Sequence, residues 1–154
     1  MNLRSFLLPL ALFAATPACH SAHVEAPDGF AELEEHGDYD FRATSAAGVV
    51  IAVRAEKNDP RGNLAFWTSA IDHKLKKSGY VPTLEKPRAV ETRTGLAGKQ
   101  LKYKMNNGGR PHEYWISVFV TDGEVFVVEA AGDEAFFDPS VEKQIDAATA
   151  TLET

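Results

Sequence analysis

Between Gly98 and Ala131 three strand-like runs are separated by two turns, Asn106-Asn107-Gly108-Gly109 and Asp122-Gly123. No other part of the chain restricts the fold as strongly. Asn, Asp and Gly tolerate the positive φ that tight hairpin turns demand. In Gly98–Met105 the residues Leu101, Tyr103 and Met105 alternate with Gln100, Lys102 and Lys104, as on a strand with two unlike faces. His112–Thr121 and Glu124–Ala131 follow, and connections this short permit only an antiparallel meander.

Two further strands are expected before it, Tyr39–Thr44 and Gly48–Arg54, joined by a turn over 45–48. The second contains the unbroken run Val49-Val50-Ile51-Ala52-Val53, the signature of a strand covered on both sides. Asn63 is placed to cap a helix over Leu64–Ser78, whose buried stripe is Leu64, Trp67, Ile71 and Leu75. Lys74, Lys76 and Lys77 suit the negative end of that helix, and Gly79 closes it. Tyr80–Thr92, with two prolines, reads as an extended edge segment. A second helix starts at Asp138-Pro139-Ser140 and runs to about Leu152, burying Val141, Ile145, Ala148 and Leu152. Residues 27–33 read as a helical turn or an irregular entry. The order gives an α+β domain: an antiparallel sheet of about six strands with helices on both faces, an α/β/α sandwich.

The N-terminus is expected to be a leader. Arg4 precedes an apolar run, Phe6–Ala15, which ends in the small residues Thr16-Pro17-Ala18. Residues 1–18 therefore read as a signal peptide, 19–27 as a lipid-attachment cysteine and tether, and 28–154 as one domain. Cys19 is the sole cysteine, so no disulfide can form within the chain. Three chemistries can use it: a lipid-modified thiol, a metal site shared with His20 and His23, or an idle terminal thiol. Thr16-Pro17-Ala18-Cys19 is similar to a bacterial lipobox, although Thr16 stands where a large aliphatic is usual. That resemblance implies export to the periplasm and anchoring through Cys19, with His20 after the cysteine suggesting the outer membrane.

The formal net charge of −6 argues against a nucleic-acid footprint or a charge-driven lipid surface. Any membrane attachment is expected through the lipid alone. No glycine-rich loop leads from a strand into a helix at phosphate-cradling spacing, and His36, His73 and His112 are scattered. Ser69 and Ser117 lie inside elements without the setting of an activated nucleophile. Neither catalytic residues nor a cofactor are expected. Phe66 and Trp115 are candidates to line a groove, and Lys102, Lys104 and Arg110 a basic patch; the bland alternatives are core packing and charges that guard a sheet edge.

The stretches AFWTSAIDHKLKKSGYVP, GLAGKQLKYK and YWISVFVTDGEVFVVEAAG, followed by a terminal helix, resemble the PsbP/Mog1/DcrB-like group. The resemblance implies an antiparallel sheet sandwiched by helices. Members of that group are accessory or scaffold proteins: photosystem extrinsic subunits, a small-GTPase-binding factor and envelope lipoproteins. They share no reaction, and no functional residue carries over to this chain. A non-catalytic periplasmic accessory protein that binds another envelope protein is therefore expected, with a carrier of a small apolar ligand between sheet and helix as the alternative.

Overall fold

The computed structural model describes residues 22–154; Cys19, His20 and the expected signal peptide lie outside the described residues. One antiparallel sheet runs through the domain. Its strands are β1 (Phe30–Glu32), β2 (Phe41–Ser45), β3 (Val50–Lys57), β4 (Val81–Pro82), β5 (Arg88–Glu91), β6 (Ala97–Asn107), β7 (Arg110–Val120) and β8 (Glu124–Asp133). They lie in the order β1-β2-β3-β8-β7-β6, and both β4 and β5 pair with the outer edge of β6. Helix α1 (Leu64–Lys77) covers one face; α2 (Pro139–Ala150), preceded by a short 3-10 turn at Glu134–Phe136, covers the other. This is the expected α/β/α sandwich, with eight strands in place of about six.

The meander forms as its turns require. Gly108 and Gly109 both have positive φ (61° and 87°), and Asn106 Oδ1 accepts the Gly109 N–H at 2.8 Å. On the α1 face, Leu101, Tyr103, Ile116, Val118, Val125 and Val127 meet the stripe Leu64, Trp67, Ile71 and Leu75. The α2 face holds the larger core: Phe41, Ile51, Val53, Trp115, Phe119, Phe126 and Val128 pack against Ile145, Ala148 and Leu152. Gly98 admits Phe119 to that core, because a Cβ there would come within 2.5 Å of its ring.

Both helices are capped as their sequences suggest. Asn63 Oδ1 accepts from Phe66 N at 2.9 Å, and Asp138 Oδ1 accepts from Ser140 N and Val141 N at 2.7 and 3.0 Å. Less expected is the entry to α1, where Asn58 is nearly buried. Its amide donates to Gly62 O and Thr121 O and accepts from Gly62 N and the Trp67 indole, all within 3.0 Å. This one side chain ties the β3 end, the β7–β8 turn and the helix stripe together.

Two expectations need correcting. Residues 30–32, read as a helical or irregular entry, form β1 against β2. The tether expected over 19–27 ends earlier: Ala22 and Val24 are buried in the α2-face core, and His23 pairs with Glu153 through both backbone groups. Glu25 N adds a bond to Thr151 Oγ1 at 2.7 Å. A two-residue alternation is too short to read as a strand, yet it buries two side chains.

Candidate functional site

Helix α1 lies over β6 and β7, so on that side β2 and β3 are covered by their own side chains. Register sets Arg42, Ala52 and Glu129 side by side across β2, β3 and β8, with Arg54 two residues beyond Ala52 on the same face. Glu129 is 8% exposed, a carboxylate sunk in the sheet. The Tyr39 hydroxyl donates to Glu129 Oε2 at 3.2 Å, and Arg54 Nη2 lies 2.9 Å from Oε1 without an aligned hydrogen bond. Both guanidinium groups lie against the Tyr39 ring, Arg42 at 5.7 Å and Arg54 at 5.9 Å from its centre. Burial, reinforced by the Glu129 carboxylate, pushes the Tyr39 and Tyr114 hydroxyls above their ordinary range. Both tyrosines stay neutral, and Tyr39 donates its hydroxyl proton to Glu129.

Beside this cluster runs a groove of about 280 Å³ between α1 and the sheet. Val125 and Val127 line its floor, Trp67, Ala70 and Ile71 one wall, and Arg54, Glu56 and Lys74 its rim. Phe66, half exposed, packs edge-on against Trp67 but does not line the groove. Ligand pockets that enclose a small molecule start at roughly 300 Å³. This groove is open to solvent and takes a side chain or two of something larger.

The residues singled out from the sequence fall in other places. Phe66 and Trp115 are on opposite sides of the sheet and cannot line one groove: Trp115 is 2% exposed in the α2-face core, against Phe137. Lys102 and Lys104 do not form a free basic patch. Lys102 Nζ sits 3.2 Å from the centre of the Trp115 ring and 3.6 Å from Glu142 of α2, while Lys104 pairs with Glu113 and with Glu134 of the 3-10 turn. Burial lowers the Lys102 pKa although Glu142 opposes it. Both lysines clamp the α2 layer to the sheet. Arg110 is exposed at the tip of the β6–β7 hairpin, apart from them. Of the aromatic and cationic candidates only Lys102 and Trp115 come together, as packing.

A second buried polar pair fixes α1. Tyr103, fully enclosed, donates to Asp72 Oδ1 at 2.7 Å, and Lys76 Nζ donates to Asp72 Oδ2 at 2.7 Å. Burial works against the Asp72 charge, but the bonds from Lys76 and Tyr103 together outweigh it and hold the carboxyl below its ordinary value of 3.8. A folded pKa below the unfolded one contributes stability that is complete above that value and lost as the pH falls through the folded one. Tyr103→Phe is expected to unfold at lower urea than wild type at neutral pH. The gap should narrow on acidification below about pH 4, and a gap independent of pH would assign the loss to packing alone.

Among the described residues, no three His, Cys, Asp or Glu side chains converge to hold a metal ion, and no helix is long and apolar enough to cross a membrane. His23 and His36 lie 3.4 and 3.7 Å from Glu153 and Glu32, and His112 Nδ1 meets the Arg110 carbonyl. No family model and no curated protein matches the chain. Solved structures do match. LpqN of Mycobacterium tuberculosis, involved in cell envelope biogenesis, superposes with a TM-score of 0.64 at 15% identity, over 84% of this chain and 79% of that one. The PsbP of Synechocystis, CyanoP, gives 0.56 at 13% identity over 87% and 86%. A Bacteroides thetaiotaomicron protein gives 0.56 at 17% identity over 87% of this chain but only 45% of its own, so the chain spans under half of that protein. The fold resembles the PsbP/Mog1/DcrB-like group. At such identities the likeness is one of architecture, and the Arg42–Tyr39–Arg54–Glu129 cluster is described from this chain alone.

No sequence pattern announces that cluster. Its members come from the loop before β2, from β2, from β3 and from β8, and no spacing links them. The one available signal is Glu129 between the apolar run Val125-Phe126-Val127-Val128 and Ala130-Ala131, a carboxylate where a sheet interior is expected.

Proposed function

We propose that the protein is a non-catalytic accessory module of the bacterial cell envelope, lipid-anchored through Cys19, that docks another envelope protein on the α1 side of its sheet. The observation that carries this reading is the open strip beside α1. Arg, Tyr and Trp are the residue types enriched at protein interfaces, and here Arg42, Tyr39, Arg54 and Trp67 adjoin a shallow apolar groove above two closed cores. The likeness in fold to an envelope protein of Mycobacterium tuberculosis supports the compartment. A carrier of a small apolar ligand would want a deeper enclosure than this groove offers.

A photoreactive amino acid at Ala70, on the groove wall, is expected to cross-link one discrete envelope protein in cells. The same residue at Lys143, exposed on α2, should not. Equal products from both positions would remove the docking reading. Anchoring has a separate test: Cys19→Ala is expected to move the protein from the membrane fraction to the soluble periplasm. A wild type already soluble, with an unmodified thiol by mass spectrometry, would remove the lipid.

A further inference from the structure

We infer that the groove receives an acidic segment of the partner, a short run that combines apolar side chains with Asp or Glu, its carboxylates resting on Arg42, Arg54 and Lys74. This rests on the docking reading above and adds the chemistry of what docks.

Charge is the first argument. The chain carries a net −6, yet three cations gather along this strip: Arg42 and Arg54 against one tyrosine ring, and Lys74 on the groove rim that Arg54 shares. Among the described residues Arg42 and Lys74 make no ion pair. Arg54 has only Glu129, which lies beneath it in the sheet, so the outer side of the guanidinium faces solvent with Glu56 as the single exposed carboxylate of the groove. Lys76, Arg88, Arg93, Lys102 and Lys104 are paired with carboxylates, whereas Lys57, Lys77, Lys86, Lys99, Arg110 and Lys143, like Arg42 and Lys74, make no ion pair among the described residues. What sets this strip apart is that its cations gather beside an apolar groove.

Preorganisation is the second. The Nε groups of Arg42 and Arg54 are buried without hydrogen-bond partners, and the Tyr39 ring, itself tied to Glu129, holds both side chains down. Arginine forks fixed in this way bind carboxylates in two-pronged geometry at little entropic cost. Shape is the third: the floor of Val125 and Val127 beside Trp67 and Ile71 is apolar, so the occupant must carry hydrophobic side chains between its acids. An anionic membrane fits less well. Surfaces that bind one by charge present clusters of roughly four to eight Lys and Arg, whereas here three cations border a recess with Glu56 on its rim.

The test is a selection of random 12-residue peptides on the full chain displayed in its folded form, followed by binding to three variants. Lys74→Glu reverses an exposed charge without touching the core, and Arg42→Glu/Lys74→Glu reverses two. Ala70→Trp fills the groove from an exposed position. Melting curves establish that each variant is folded, and Lys74→Glu carries the test if Arg42→Glu is not. The expected pool is enriched in Asp and Glu interleaved with apolar residues, weakens as salt is raised, and loses roughly tenfold in affinity on charge reversal. Peptides that lose binding to Ala70→Trp but keep it on the charge-reversed chain overturn the acidic assignment and leave the groove as a docking surface. Peptides indifferent to Ala70→Trp remove both. Phosphatidylglycerol vesicles that bind wild type but not the charge-reversed chain overturn the peptide assignment in favour of a membrane.

Discussion

Trp115→Ala lowers the free energy of unfolding by about 3–5 kcal/mol, the range for truncating a fully buried tryptophan. Trp115 is 2% exposed, tilts against Phe137, and has its indole N–H 3.3 Å from Glu113 Oε2. Its other face carries the Lys102 ammonium, which in turn reaches Glu142 on α2. Removing the ring therefore empties the core and takes away the seat of the α2 clamp. Urea denaturation measures the loss directly. Lys102→Met, which keeps the volume but removes the charge, should cost under about 1.5 kcal/mol. A tryptophan variant within about 1 kcal/mol of wild type would mean that the α2 layer closes without it.

The second large effect is expected from a polar residue. Asn58→Ala should cost about 2–4 kcal/mol, because it strands the Trp67 indole and the Gly62 N–H along with two carbonyls, and each buried unpaired group costs about 1–3 kcal/mol. The amide's four bonds hold the start of α1 to the β7–β8 turn. Amide hydrogen exchange should accelerate first in α1, before the meander. Asn58→Asp keeps both acceptances but turns a carboxylate oxygen toward the Gly62 and Thr121 carbonyls, which repel it, so at neutral pH it should be no more stable than the alanine variant. An aspartate variant close to wild type would mean that the acceptances from Gly62 and Trp67 carry the effect.

Much of this fold could be read from the sequence where local chemistry and packing agree. The hairpin turns at 106–109 and 122–123, the stripe of α1 and the Asp138-Pro139 start of α2 each combine a backbone requirement with a matching hydrophobic period. β1 escaped: its three residues are held from one side by β2, so the pairing partner and not their own pattern makes them a strand, whereas β4 and β5 fall within the extended edge segment expected over 80–92. Ala22 and Val24 escaped for the same reason. The functional strip was less readable still. Lys102 and Lys104 looked exposed because their neutralising carboxylates, Glu142 and Glu134, arrive from elements far along the chain. Nothing in the spacing of Arg42 and Arg54 sets them apart; only the register with Glu129 places them together. The sequence carries the period of each strand but not which strand lies beside it.

The pairing of His23 with Glu153 also has a temporal meaning. The first described residues have no partner until residue 153 is available, and β3, near the start, finds its second neighbour only in β8. Both β1–β2–β3 and β6–β7–β8 can zip through their own turns, but the two halves join only when β8 is present to pair with β3. Most pairings join consecutive strands, and uniting the two halves rests on the one distant β3–β8 pairing, whose loop closure is the slow part of assembly. Under the export proposed above, such a delay would keep the chain threadable, since the two halves of the sheet join only once β8 is present.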